Sequence, residues 1–310
     1  HKEVFEACTN KTVFTGFGAF PAKAPRPGAQ SLIEKSFHPN IIRDDLKSRG
    51  IDFGVLSSST VLQGTSWANP DEDLRLCQLC NDQAANWVMQ FPDTFIASCV
   101  LPMQAMHLAM NELRRCVEEL KIRVINVSSS YQGIYLGDPT FHEFWSFCHE
   151  HELTLWIHPE GVHDPWFQKY AMWNSLGQSI EESKCMASLI YEGVMTKFSK
   201  VKVIMAHGGG YFPHYLGRLD RNTKNRPDTV RNTDGKTPSD FLKQFYYDTC
   251  VYDPKVLKVL IERVGISQLI MGSDYPVGES NPIAWLGSCG LNQEEINAIA
   301  GGNAKRLLSI

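Results

Sequence analysis

Apolar, β-branched runs recur along the chain at 54–59, 95–101, 123–127, 154–158, 201–207, 245–251 and 268–274. Several are continuous rather than alternating, the pattern of strands buried on both faces, as in a parallel sheet. Between them, apolar positions return every three or four residues. Met106, Met110, Leu113, Val117 and Leu120 predict an amphipathic helix over 103–120. Ile180, Ala187, Ile190, Val194 and Phe198 predict another over 179–198. Further helices are predicted over 71–90, 140–150, 254–264 and 293–308. Asn292 precedes the last of these, with Glu294 and Glu295 in its first turn, where carboxylates complement the helix dipole. The polar, turn-rich stretch 222–240 predicts a long surface loop, with a lid or an interface arm as the alternative.

Strand–helix alternation with no linker argues for one α/β domain over 1–310 rather than two. Seven strands and one more would close a (β/α)8 TIM barrel. The additional strand must precede Val55. Residues 12–20 (TVFTGFGAF) are one candidate; the other is a first strand truncated or missing upstream of residue 1, because the chain begins at His1 rather than Met.

Charge narrows the function classes. Lys and Arg total 30 against 34 Asp and Glu, a formal charge of −4, which removes the electrostatic case for nucleic acid or an anionic membrane. No apolar run approaches the roughly 18 residues of a membrane span. The nine cysteines show no framework spacing and sit within apolar or helical runs, as expected of reduced, buried thiols in a cytoplasmic protein. Cys77 and Cys80 form a C-x-x-C without a second pair, on one face of a predicted helix, and read as core packing.

In a barrel the chemistry sits at the C-terminal ends of the strands. Three runs close on polar residues there: 154–158 on His158, 201–207 on His207, and 268–274 on Asp274. One such histidine would read as a core residue; three polar residues at matched positions point to a site. Imidazole and carboxylate are ligand types of catalytic zinc sites. A bound divalent ion activates water or polarises a substrate oxygen. Gly208, Gly209 and Gly210 would let a substrate approach the backbone. They lead into a predicted short helix over 212–220, whose N–H groups favour an anion. Arg218 on that helix offers a planar fork for a carboxylate, or an ion pair with Asp220.

These motifs resemble the aminocarboxymuconate-semialdehyde decarboxylase family, a branch of the metal-dependent amidohydrolase superfamily. The resemblance runs from about residue 38 to 310. It rests on WIHPEG (156–161), VIMAHGGGYFPHYLGRLD (203–220), FYYDTCVYDP (245–254), IMGSDYP (270–276) and GNAKRLL (302–308), with the pairing of HGGG-x6-GR and GSDYP the most specific element. It implies a (β/α)8 barrel with a divalent metal, zinc first and manganese as the alternative, and no organic cofactor. The metal would be held by an H-x-H pair on the first strand, by His158 and by Asp274. His207 would be an acid/base residue, with Asp274 also in proton transfer. Arg218 would reach a neighbouring subunit's site in a homodimer and bind substrate carboxylate. Trp166, Tyr170 and Trp173 would shape the pocket from the loop after the family's fifth strand. Two departures stand out. The chain's one H-x-H, His149/His151, falls at a helix end, and His1 is not assigned to the motif. The early substrate-binding arginine has only a loose match in Arg26.

The resulting expectation is non-oxidative decarboxylation of a small unsaturated or aromatic carboxylic acid. The alternative is metal-dependent hydrolysis or hydration of a ring-fission product or related small acid. A third reading is a degenerate barrel that has lost its metal pair.

Overall fold

The continuous apolar runs form parallel strands whose neighbours follow chain order. The computed structural model describes residues 1–9, 35–57, 68–159, 162, 164–230 and 232–310. The strand candidate at 12–20 lies outside them. Contacts divide the described chain into two units: His1–Gln132 with His158–Gln178, and Gly133–Ile157 with Ser179–Ile310.

In the first unit, strands β1 (Gly54–Leu56), β2 (Phe95–Cys99) and β3 (Val124–Ser128) pair in parallel, β1 with β2 and β2 with β3. Helices α1 (Lys2–Thr9), α2 (Pro39–Ser48), α3 (Pro70–Gln90) and α4 (Met106–Glu118) accompany them. Helix α3 starts where its sequence says it should. The Asn69 side chain accepts from the Glu72 N–H, Pro70 follows, and Asp71, Glu72 and Asp73 fill the first turn. Its inner face carries Leu76, Cys77 and Cys80 into a core with Val4 and Val100. The C-x-x-C is therefore packing. Among the described side chains, eight cysteines are buried free thiols. Deeper in the unit, Asn81 bonds Val100 through both backbone groups and donates to Glu112 at 2.7 Å. Arg115 closes on Glu112 at 2.8 Å through two nitrogens.

In the second unit, β4 (Thr154–His158), β5 (Lys202–Met205), β6 (Phe245–Asp248) and β7 (Leu269–Ile270) pair in parallel and in sequence. Their apolar residues Leu155, Ile157, Val203, Met205, Phe245, Tyr247 and Leu269 are fully buried. Each buried aliphatic side chain contributes roughly 1.5–3 kcal/mol relative to exposure. Helices α5 (His142–Glu150), α6 (Gln178–Tyr191), α7 (Val194–Lys197), α8 (Leu216–Asn225), α9 (Pro238–Phe241), α10 (Pro254–Val264), α11 (Pro282–Ser288), α12 (Gln293–Asn297) and α13 (Asn303–Leu308) complete it.

Several expectations are corrected in detail. The helix expected over 179–198 breaks at Gly193, which adopts a left-handed φ of 85°. The one expected over 293–308 contains a π-turn at Ala298–Gly302, although the Asn292–Glu295 capping box forms as its sequence suggests. Stretch 222–240 is only partly a loop. Helix α8 runs on to Asn225, and a Thr237–Asp240 capping box starts α9.

Candidate active site

The register of β4 against β5, from Thr154↔Lys202 to Ile157↔Met205, carries His158 to the C-terminal end of its strand. His207 and Asp274 lie beyond their strands rather than on them. Strand β5 stops at Met205, and His207 sits in a tight turn with φ 47°. Strand β7 stops at Ile270, and Asp274 adopts φ 51°. Both residues occupy the left-handed region that L-residues seldom enter, a form of backbone strain found at functional sites. One ligand atom from each of His158, His207 and Asp274 lies within 4.8 Å of the others.

The orientation of each group has a cause. His158 Nδ1 lies 3.0 Å from the Pro159 carbonyl, which only accepts, so Nδ1 carries the proton and Nε2 the lone pair. His207 Nδ1 bonds Oε1 of Glu182 on α6. Glu182 is fully buried, and its Oε2 has no hydrogen-bond partner among the described residues. Behind them, buried Asp248 at the end of β6 accepts from the Gly208 N–H at 3.2 Å and the Cys250 N–H at 3.0 Å. These bonds tie the turn after His207 to the next strand.

Charge follows from this packing. Burial works against the His207 imidazolium, but Glu182, Asp248 and Asp274 together outweigh it and push the ring up to about 10. Burial raises Glu182 to about 7 despite the pull of His207. Asp248 is raised by burial. Asp274 is raised by desolvation, partly offset by His207 and by a hydrogen bond from Tyr252.

The three glycines serve packing rather than an open cradle for substrate. A Cβ on Gly208 would lie 2.6 Å from Val251, on Gly209 2.9 Å from the Met186 sulfur, and on Gly210 2.3 Å from the Ser179 carbonyl. They let the turn sit against α6 and the β6 end.

The other expected residues are more scattered. Arg218 lies exposed on α8, with no hydrogen bond or ion pair to a described residue. Its alternative partner Asp220 instead accepts from the Ser239 N–H and hydroxyl. Trp166 and Tyr170 are 52% and 90% exposed, Tyr170 with φ 57°. Trp173 packs against the Leu76–Cys77–Cys80 core of the first unit. Arg26 lies outside the described residues. His149 and His151 are engaged elsewhere: His149 accepts from the Lys200 N–H, and His151 stacks on Phe147 at 4.0 Å. Glu182, Asp248 and Tyr252 are the site residues that sequence reasoning missed.

Comparison with known proteins decides the family. The sequence profile of the Amidohydrolase family matches residues 43–310. The chain belongs to the amidohydrolase family. Within it, this amidohydrolase is 32% identical over 276 residues to the 2-amino-3-carboxymuconate-6-semialdehyde decarboxylase of Dictyostelium discoideum, covering 88% of this chain and 77% of that protein. It therefore falls in the decarboxylase-like branch. The crystal structure of 5-carboxyvanillate decarboxylase from Sphingomonas paucimobilis superposes with a TM-score of 0.87 at 23% identity, covering 100% of this chain and 96% of that one. A dihydroxybenzoic acid decarboxylase from Polaromonas sp. JS666, solved with manganese and the inhibitor 2-nitroresorcinol, superposes with a TM-score of 0.82 at 21% identity, covering 97% and 93%. The amidohydrolase therefore has the (β/α)8-type fold that strand–helix alternation predicts. Two imidazoles and a carboxylate converging at strand ends form a donor set that fits a divalent ion. Manganese in a solved relative means that zinc is not singled out.

Proposed function

We propose that this amidohydrolase catalyses metal-dependent, non-oxidative decarboxylation of a small unsaturated or aromatic carboxylic acid. The convergence of His158, His207 and Asp274 within 4.8 Å carries the reading. His158 and Asp274 would hold a divalent ion, zinc or manganese. When bound, such an ion supplies a Lewis acid that draws electron density from substrate oxygens. The carbon–carbon bond breaks with its electron pair left on the substrate carbon, and CO2 departs. That carbon must then take a proton. His207 delivers it from Nε2, with its Nδ1 held by Glu182 on the side away from the substrate. Asp274 faces His207 across the site and shares in the proton's movement. No organic cofactor is required.

Arg218 supplies a carboxylate clamp from an exposed helix that it shares with no ionic partner among the described residues. In a homodimer this side chain reaches a neighbouring site. Tyr211 and Tyr215, seven and three residues before it in the chain, are 48% and 68% accessible and suit an interface. Sedimentation showing a fully active monomer would remove this role. Trp166 and Tyr170 are accessible aromatic surfaces suited to a flat, conjugated acid. Buried free thiols suit a reducing, cytoplasmic setting. No described helix is long and apolar enough to cross a membrane.

Metal analysis tests the reading. The purified protein is expected to bind a divalent ion stoichiometrically, and His158→Ala and Asp274→Asn to lose most of it. Full metal occupancy in both variants would overturn the ligand assignment.

A further inference from the structure

Helix α6 turns an apolar stripe inward: Cys185, Met186, Leu189 and Ile190 are fully buried. Glu182 continues that stripe, four residues before Met186, and is equally buried. An apolar side chain there would avoid the desolvation cost of a buried carboxylate. The surrounding chain is nevertheless shaped around the acid. Its Oε1 accepts the hydrogen bond of His207 Nδ1. A Cβ on Gly210 would come within 2.9 Å of its Oε2. The Tyr211 N–H donates to the Ser183 hydroxyl at 3.0 Å, and that hydroxyl donates to the Ser179 carbonyl at 2.8 Å. One turn of α6, through residues 179, 182 and 183, thus grips the whole turn from 207 to 211.

We propose that Glu182 is a positioning residue for His207, holding Nδ1–H so that Nε2 is the nitrogen that exchanges a proton with substrate carbon. The proposal rests on the reading of His207 as the proton-transfer residue. Glu182 itself touches no reacting atom. It fixes the ring's rotation and tautomer from the side remote from the chemistry. The strained turn and its glycines then have a common purpose, which is to bring the histidine and the buried acid together.

Two measurements test this. In 15N-histidine-labelled, zinc-loaded protein, titrated until the His207 ring is neutral and with its signal identified by its loss in His207→Asn, Nδ1 is expected to carry the single remaining proton. An Nε2–H tautomer overturns the proposal without any variant at 182. In kinetics, Glu182→Ala should lower kcat by ~10- to 100-fold, the usual cost of losing an orienting partner. KM and metal content should be unchanged. Glu182→Gln, whose amide oxygen still accepts the same proton, should recover most of that loss. Wild-type kcat in Glu182→Ala, or no recovery in a folded Glu182→Gln, overturns the proposal. Failure of the underlying reading looks different: His207→Asn would itself retain turnover.

Discussion

A methyl group at position 208 would meet Val251 at 2.6 Å and Leu260 at 3.3 Å, on a backbone already at φ +62°. The Gly208 N–H is also the group that Asp248 holds. Gly208→Ala should therefore cost at least about 1–3 kcal/mol of stability, the scale of overpacking a tight core. It should also lower turnover by moving His207. Thermal unfolding and kcat of the variant check this, and wild-type values for both would show that the turn is slack. His158, His207 and Asp274 were legible in the sequence because each interrupts or closes an apolar run. Glu182 was not, for a physical reason. It follows Glu181 near the start of a helix, where acids ordinarily face water and complement the dipole. Only its spacing, four residues before Met186 and eight before Ile190, marks it as inward-facing. Glu181 beside it is also buried, accepting from the Tyr135 hydroxyl at 2.6 Å and Lys184 at 2.8 Å.

Helices α3 and α4 are joined by a cluster of polar bonds. Glu112 is the acceptor for Asn81 and Arg115, and Arg115 also reaches Asp82 at 2.7 Å. Burial by itself would raise the Glu112 carboxyl, but the bonds and charge of Arg115 and the amide of Asn81 hold it below its ordinary value. A carboxyl depressed in the folded state stabilises fully above its unfolded pKa, about 4.3. That contribution is lost as the pH falls through the lower folded value. Urea unfolding at neutral pH and in stepped acid should show the wild type losing more stability than Glu112→Gln. Parallel losses would mean that the cluster carries no linkage. At this scale the strands were readable from their continuous apolar runs, but their ends were not. Ala206 and Met271 keep an apolar character after the ladder has stopped, so hydrophobicity overshoots hydrogen bonding. Stretch 222–240 misleads in the opposite direction. Its helix is polar because only Leu216 and Thr223 of α8 are buried.

The fold class was legible because a parallel strand–helix alternation admits few architectures. The convergence of His158, His207 and Asp274, each at or just beyond the end of its strand, agrees with it. Function is less determined by the fold, since one barrel supports many chemistries and the pocket selects among them. Decarboxylation and hydration would use the same metal ligands and the same proton-transfer histidine. They differ in whether a carbon–carbon bond is broken or water is added. The most direct measurement is turnover of small aromatic and unsaturated carboxylic acids by the metal-loaded enzyme in 18O-labelled water. CO2 and organic product are monitored together. CO2 released in equal amount to product, with no 18O in that product, is the predicted result. Product containing 18O with no CO2 release would contradict it.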